Sequence, residues 1–357
     1  MYRVHYPNPV HLEMFRSLES YYLTPLESLV TLGFFMSKRI KVGVVGIGHV
    51  GKEHARILAS LPQAELVGVC DTDSSKKERA DALKVPFYSH HQELLERVEA
   101  VTVATPTSTH AAVAQDFLRA GIHTLVEKPF TLLLEEADEL IRLAKEKRCA
   151  LQVGHIERHN PGFRRIEQIA RNIGFLEIHR LSPFTPRIQD CGVVLDMMIH
   201  DIDIVLNLVK SEIQSFDAIG IPVLTPFEDI ANVRIKFKGG TIADLTASRL
   251  TPERQRKIRI FQEDAYISLD YEAQSAQIFR KEGFRIAQEK IEIQKSEPLR
   301  EELEFFLKGI QTGESLGKPD EAARQALAFA LEIVEAIQNN LRSIRSPSTV
   351  HSPQTIP

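Results

Sequence analysis

Cysteine is scarce in this chain. Only Cys70, Cys149 and Cys191 occur, widely spaced and in or beside apolar runs. That excludes a disulfide framework and a cysteine-based zinc cluster, and it fits reduced thiols in a cytoplasmic protein. No apolar run approaches the roughly 18 or more residues a membrane helix needs, and the N-terminus lacks a basic segment followed by an apolar one. Charge of one sign is not in excess either: 44 Lys and Arg stand against 48 Asp and Glu, interspersed instead of blocked. Nothing marks a nucleic-acid face. The expected partner is therefore a small molecule, with neither nucleic acid nor membrane involved. At 357 residues and 43% hydrophobic content the chain can support two domain cores.

What is present is organised around residues 40–51, IKVGVVGIGHVG. Isoleucine and valine from Ile40 to Val45 read as a buried parallel strand. The run breaks into Gly46, Gly48 and Gly51, spaced G-x-G-x-x-G, ahead of a helix bearing alanine and leucine. Gly46 permits the tight turn, Gly48 leaves room for a pyrophosphate, and Gly51 lets helix and strand pack closely. Amides at the helix N-terminus would face the phosphates. The pattern alone is weak, but a second strand, AELVGVC, follows and ends at Asp71, whose carboxylate can bind a ribose diol.

From Lys38 to about Ala150 strands and helices alternate, which predicts a parallel sheet covered on both faces. The spacing predicts helices over 49–60, 74–82, around 91–97, after a Ser108 cap, and over 133–147. Strands are expected at 65–70, 86–88, 100–105, 123–128 and 149–154. Polar strand ends at Gly46, Asp71, Thr105, Glu127 and Gly154 should share the sheet edge where ligands bind. Past Gly154 come a helix with Asn160 as cap and Pro161 in its first turn, a strand near 175–181 and a helix over about 196–209. Five β segments follow, IQSFDAIGI, IANVRIKFKGG, TIADLTASR, KIRIFQED and AYISLD, and then helices over 299–311 and 319–341. The fold class is therefore α/β: a Rossmann doubly wound parallel sheet over 36–154, then an α/β domain over 155–341 with a large, open, mostly antiparallel sheet. One face of that sheet is expected to be covered by helices and the other free for a ligand or a partner subunit. Residues 1–35 read either as lying upstream of a natural start at Met36 or as an ordered arm. The serine- and proline-rich stretch 342–357 reads as a disordered tail.

Six local motifs fall into one register: GIGHVGKEH at 46–54, Asp71, TPTSTH at 105–110, VEKPF at 126–130, VGHIERHNP at 153–161 and DCGVVLDMMIHDID at 190–203. Together they resemble the family of oxidoreductases named for glucose-fructose oxidoreductase and inositol dehydrogenase, over roughly 38–341. The resemblance implies NAD or NADP as cofactor, an oligomer (dimer or tetramer) built through the open sheet, and a catalytic site at Lys128. The expected cofactor contacts are Gly46, Ile47, Gly48, His49, Val50, Gly51, Asp71, Thr105, Pro106, Thr107, His110, Glu127 and Lys128. His54 matches a family position near the cofactor, although His54 and His110 are also typical packing or capping histidines. Asp71 favours NAD over NADP because it would repel a 2′-phosphate; Lys76 and Lys77 weigh the other way.

Asp196 and His200 are four apart, so on a helix they share a face, and His200 is the expected base for an alcohol proton. Asp196 would orient that ring, or simply hydrogen-bond near the helix start. His155, Glu157, Arg158 and Asn160 are placed to meet substrate, Asn160 having the capping alternative, and Arg158, Arg164, Arg165 and Arg187 are cations suited to a diphosphate. His200, Asp201 and Asp203 do not make a convincing metal set, and no metal is expected. Relatives often have phenylalanine at the position of His159. Within the family, VGHIERHNP with DCGVVLDMMIHDID looks most like the branch that oxidises UDP-N-acetylglucosamine at C3, feeding amino-sugar formation. The alternatives are a dehydrogenase of a free polyol or sugar such as inositol, and a cofactor-binding sensor without turnover.

Overall fold

Strands buried on both faces build the first layer. Among the residues that the computed structural model describes, 38–185, 191–318 and 320–345, β1 (Ile40–Val45) leads through α1 (Gly51–Leu58) to β2 (Ala64–Cys70), α2 (Lys77–Leu83) and β3 (Phe87–Tyr88). Next come β4 (Ala100–Val103), α3 (Thr107–Arg119), β5 (His123–Glu127), α4 (Leu134–Lys147) and β6 (Leu151–Gly154). All neighbours run parallel in the order β3-β2-β1-β4-β5-β6. The order reverses between β1 and β4, so the loops leaving those strands diverge and open a crevice at the carboxyl ends. Gly46, Asp71, Thr105 and Lys128 line it.

Two local expectations are corrected. The segment after Tyr88 makes only a single 3₁₀ turn, His91–Leu94, because the chain must extend again within a few residues to enter β4. Helix α3 opens at Thr107, directly after Pro106 and with no side-chain cap, so Ser108 lies inside the first turn and caps nothing.

The second layer begins with α5 (Pro161–Ile169), capped by Asn160, and β7 (Ile173–Leu181). A π-helical turn over Val194–Met198 runs into α6 (Ile199–Leu208). Strands β8 (Ile213–Ile221), β9 (Ile230–Phe237), β10 (Ile242–Ser248), β11 (Gln255–Gln262), β12 (Ala265–Asp270), β13 (Ser275–Glu282) and β14 (Arg285–Ile291) precede α7 (Pro298–Thr312) and α8 (Glu321–Arg345). The sheet order is β14-β13-β12-β11-β7-β10-β9-β8, antiparallel except for the β7–β10 pair. Along β9 every second residue from Ala231 to Phe237 is buried and those between are exposed. The buried side packs with Ile202 and Val205 of α6 and Ala330 and Ile333 of α8 in one apolar core.

The β13–β14 hairpin has no counterpart in the sequence reading. Most of β14 is exposed, so it carries no apolar alternation, and its signal was the turn glycine, Gly283, at φ +60°. Leu299, Leu303, Phe306 and Leu307 of α7 return to the core made by β1, β2 and α1. Helix α8 runs on to Arg345, into the stretch expected to be a tail. The N-terminal segment before Lys38, Arg187 and the residues after Arg345 lie outside the described residues.

Candidate active site

The glycine loop has the geometry its spacing demands. Gly46 sits at φ +84°, and a Cβ there would meet the Ala104 carbonyl oxygen at 2.6 Å; one on Gly51 would lie 1.8 Å from the Gly46 oxygen. Gly48 has nothing within 4 Å of its Cβ position, so its backbone faces open space. That open cradle, the α1 N-terminus and a cleft of about 1140 Å³ fit a dinucleotide. Gly48, His49, Val50, Thr105, Pro106, Thr107 and Glu127 line the cleft. Ile47 does not. Its side chain is buried, its N–H is donated to Asp71 Oδ2 at 3.0 Å, and its carbonyl accepts from Arg79. His110 is absent from that lining too: its ring nitrogens lie against carbonyl oxygens, of Pro129 at 3.0 Å and Thr105 at 2.9 Å.

Asp71, at the end of β2, also accepts from Asp73 N–H, and Lys76 Nζ lies 3.0 Å from each of its carboxylate oxygens. An incoming ribose would therefore compete with an ammonium already seated on its acceptor.

Lys128 follows β5 across a cis peptide to Pro129. Its ammonium donates to the Asp196 backbone oxygen at 2.5 Å and to Asp196 Oδ1 at 3.1 Å. Asp196 thus serves the lysine and not the histidine ring. The wide π turn at Val194–Met198 alters the face-sharing that a regular helix would impose on residues four apart. Behind Lys128, Glu127 accepts from the Lys128 N–H at 3.2 Å and pairs with His54 Nε2 at 2.9 Å. Burial opposes its ionisation, yet the His54 hydrogen bond and the charges of His54 and Lys128 hold its carboxyl below the usual range.

His200 is 8% exposed, and burial first, then Lys128 and Arg180, push its pKa well below the usual histidine value. At neutral pH it is an uncharged imidazole able to accept a proton. His155 packs edge-on against it, and neither nitrogen of His155 nor Nδ1 of His200 has a hydrogen-bond partner among the described residues. Burial also lowers the His155 pKa, opposed by Asp203, whose carboxylate lies 4.0 Å away.

Three residues expected to meet substrate make contacts within the scaffold. Arg158 grips Asp203 through Nε at 2.7 Å and Asp320 through Nη1 at 2.9 Å. Glu157 accepts from the buried Arg180 at 3.0 Å, and Arg180 also forks onto Asp201. Asn160 caps α5 at Gly162 N–H, 3.0 Å, and donates to the Tyr271 carbonyl at 3.1 Å. Asp201 and Asp203 are thereby each held by an arginine. Arg164 and Arg165 are exposed on α5. Sequence reasoning missed Arg180 and Arg256, though the signal was present. In FLEIHRL and QRKIRIF the inward positions carry Leu176, Ile178, Ile258 and Ile260, and the same alternation turns both arginines inward.

Residues 40–155 match the Gfo/Idh/MocA model described as an oxidoreductase family with an NAD-binding Rossmann fold, and residues 177–268 match the model of the family's C-terminal domain. UDP-N-acetylglucosamine 3-dehydrogenase of Acidithiobacillus ferrooxidans is 37% identical over 311 residues, covering 84% of this chain and 97% of that one. Its solved structure superposes with a TM-score of 0.80 over 85% of this chain and 99% of the other. Myo-inositol 2-dehydrogenase of Thermotoga maritima is 27% identical over 86% of this chain and 98% of its own. A levoglucosan dehydrogenase solved with NADH and levoglucosan shares the fold at a TM-score of 0.76 and 19% identity.

Proposed function

Because the chain belongs to the Gfo/Idh/MocA family of oxidoreductases and is a dehydrogenase acting on CH–OH groups, we propose that it oxidises C3 of UDP-N-acetylglucosamine to the 3-keto sugar, with NAD as hydride acceptor. One observation carries the chemistry: Lys128 and Asp196 stand on the wall of the glycine-loop cleft, with neutral His200 beside them. Gly48, Gly51 and Asp71 would hold the cofactor, which supplies a hydride acceptor when bound. Lys128 Nζ donates to the oxygen of the reacting hydroxyl and fixes it, while Asp196 keeps that ammonium in place. His200 accepts the hydroxyl proton as the C–H hydride departs, so alcohol and NAD⁺ give ketone, NADH and one proton. His155, with two open nitrogens beside His200, offers hydrogen bonds to neighbouring sugar groups.

The choice of a UDP-sugar is supported by the 37% identical relative, which covers nearly the whole of both proteins. Asp71 supports NAD over NADP. A homo-oligomer formed through the open sheet face is supported by an aromatic row across four strands, Phe175, Phe261, Tyr266 and Phe279, in which Phe261 is 37% exposed. The test is incubation with NAD and a panel of UDP-sugars and polyols, read by mass analysis. Loss of two hydrogens from UDP-N-acetylglucosamine is the expected result; oxidation of inositol alone would overturn the substrate.

A further inference from the structure

The carboxylates near His200 are all claimed. Asp196 holds Lys128, Asp203 and Asp320 hold Arg158, and Glu157 and Asp201 hold Arg180. The neighbouring cations are claimed too: just before β11 Arg254 faces Glu272 at 3.6 Å, and on it Lys257 faces Asp270 at 3.9 Å and Arg259 faces Glu177 at 2.7 Å. Arg256 differs. It stands directly across from Arg180 in the β7–β11 register, and so on the helix-facing side of the sheet. Its backbone oxygen is used by Tyr271 N–H, yet its guanidinium has no ion pair or hydrogen bond among the described residues. It is half-buried and close enough to bear on the charge of both His200 and Asp201.

A half-buried guanidinium that faces Arg180 across the sheet, attracted by Glu157 and Glu272 but in hydrogen-bonded contact with neither, is held away from full hydration without a salt bridge of its own among the described residues. Its planar fork of N–H donors matches phosphoryl oxygens, which can be bound bidentately. We propose that Arg256 is the anion-binding residue of the substrate site, taking the diphosphate of a nucleotide-sugar whose sugar ring lies at Lys128 and His200. This rests on the reading of the substrate as a UDP-sugar. It moves the diphosphate contact from the arginines of 158–165, which are locked or outward-facing, to the inner face of the sheet. The neutral ring can then be aligned for reaction by a charge remote from the reacting carbon.

The test uses the full-length enzyme saturated with NADH, so that the glycine loop is blocked, and measures UDP affinity by calorimetry for wild type, Arg256→Met and Arg256→Lys. Loss of a charge-assisted fork should weaken UDP by roughly tenfold to a hundredfold in Arg256→Met, with Arg256→Lys between. NADH affinity should be unchanged in both. The KM for UDP-N-acetylglucosamine should rise by a similar factor. Equal UDP affinity in wild type and Arg256→Met would overturn the proposal, and a lower melting temperature with UDP affinity intact would mean that Arg256 only balances Glu157 and Asp201. If UDP binds as expected but no UDP-sugar is oxidised, the anion site stands and the proposed substrate falls.

Discussion

His155 and His200 meet edge to face, their ring centroids 6.0 Å apart and their planes at 90°. Both rings are buried, and three of their four nitrogens have no hydrogen-bond partner among the described residues. Two buried, uncharged imidazoles with open nitrogens, set next to the Lys128–Asp196 pair, form a polar surface without a charge of its own. That suits a hydroxyl that must be hydrogen-bonded first and deprotonated later.

The first prediction separates chemistry from cofactor binding. Lys128→Met and His200→Ala should each lower kcat by about a hundred- to ten-thousandfold, while NADH affinity, followed by nicotinamide fluorescence, changes little. Because burial and neighbouring cations depress the His200 pKa, the imidazole stays neutral as pH falls past the ordinary histidine value. The acid limb of kcat/KM should therefore lie below pH 6.5. Near-normal turnover in His200→Ala, or a wild-type limb at or above that pH, would assign the base elsewhere.

The second concerns cofactor choice. With Lys76 seated on Asp71, the carboxylate is partly neutralised where a ribose diol would bind. Lys76→Ala should tighten NADH relative to NADPH, because it removes the ammonium from both carboxylate oxygens and leaves on them only the N–H groups of Ile47 and Asp73. Asp71→Ala should lose the preference for NADH. Direct titration of both nucleotides against the three proteins reads the ratio, and tighter NADPH than NADH in wild type would refute the NAD assignment.

A third contrasts two buried charges. Arg158→Met strands Asp203, whose side chain is 2% exposed, and should destabilise the protein by about 3–5 kcal/mol. Glu302, fully buried on α7 with neither carboxyl oxygen hydrogen-bonded among the described residues, has its pKa raised well above the usual value by burial and by Glu127. A raised folded pKa means the folded state binds the proton more tightly. Stability is therefore full below the ordinary glutamate pKa of about 4.3 and falls as pH climbs, by at most about 1.4 kcal/mol per unit, until the folded pKa is passed. Glu302→Gln should remove that slope, so its melting temperature relative to wild type rises from pH 5 to pH 8. A constant difference across that range would show Glu302 to be ionised at all of them.

The sequence by itself determined whatever short spacing controls. Gly46, Gly48 and Gly51 specify a loop whose sterics leave few alternatives, Asn160-Pro161 starts a helix, and the alternation of β9 decides which face is buried. The same alternation marked Arg180 and Arg256 as inward-facing charges, legible but unread. The partners of those charges were not legible. Arg158 sits beside Glu157 in the chain but pairs with residues 45 and 162 positions away, Asp203 and Asp320. Asp196 turns from His200 to Lys128, 68 residues back, across a π turn with no local signature. Burial raises the cost of an unpaired charge, and only the tertiary structure brings together the groups that can meet it. The tertiary structure therefore decided which arginines are locked into the scaffold.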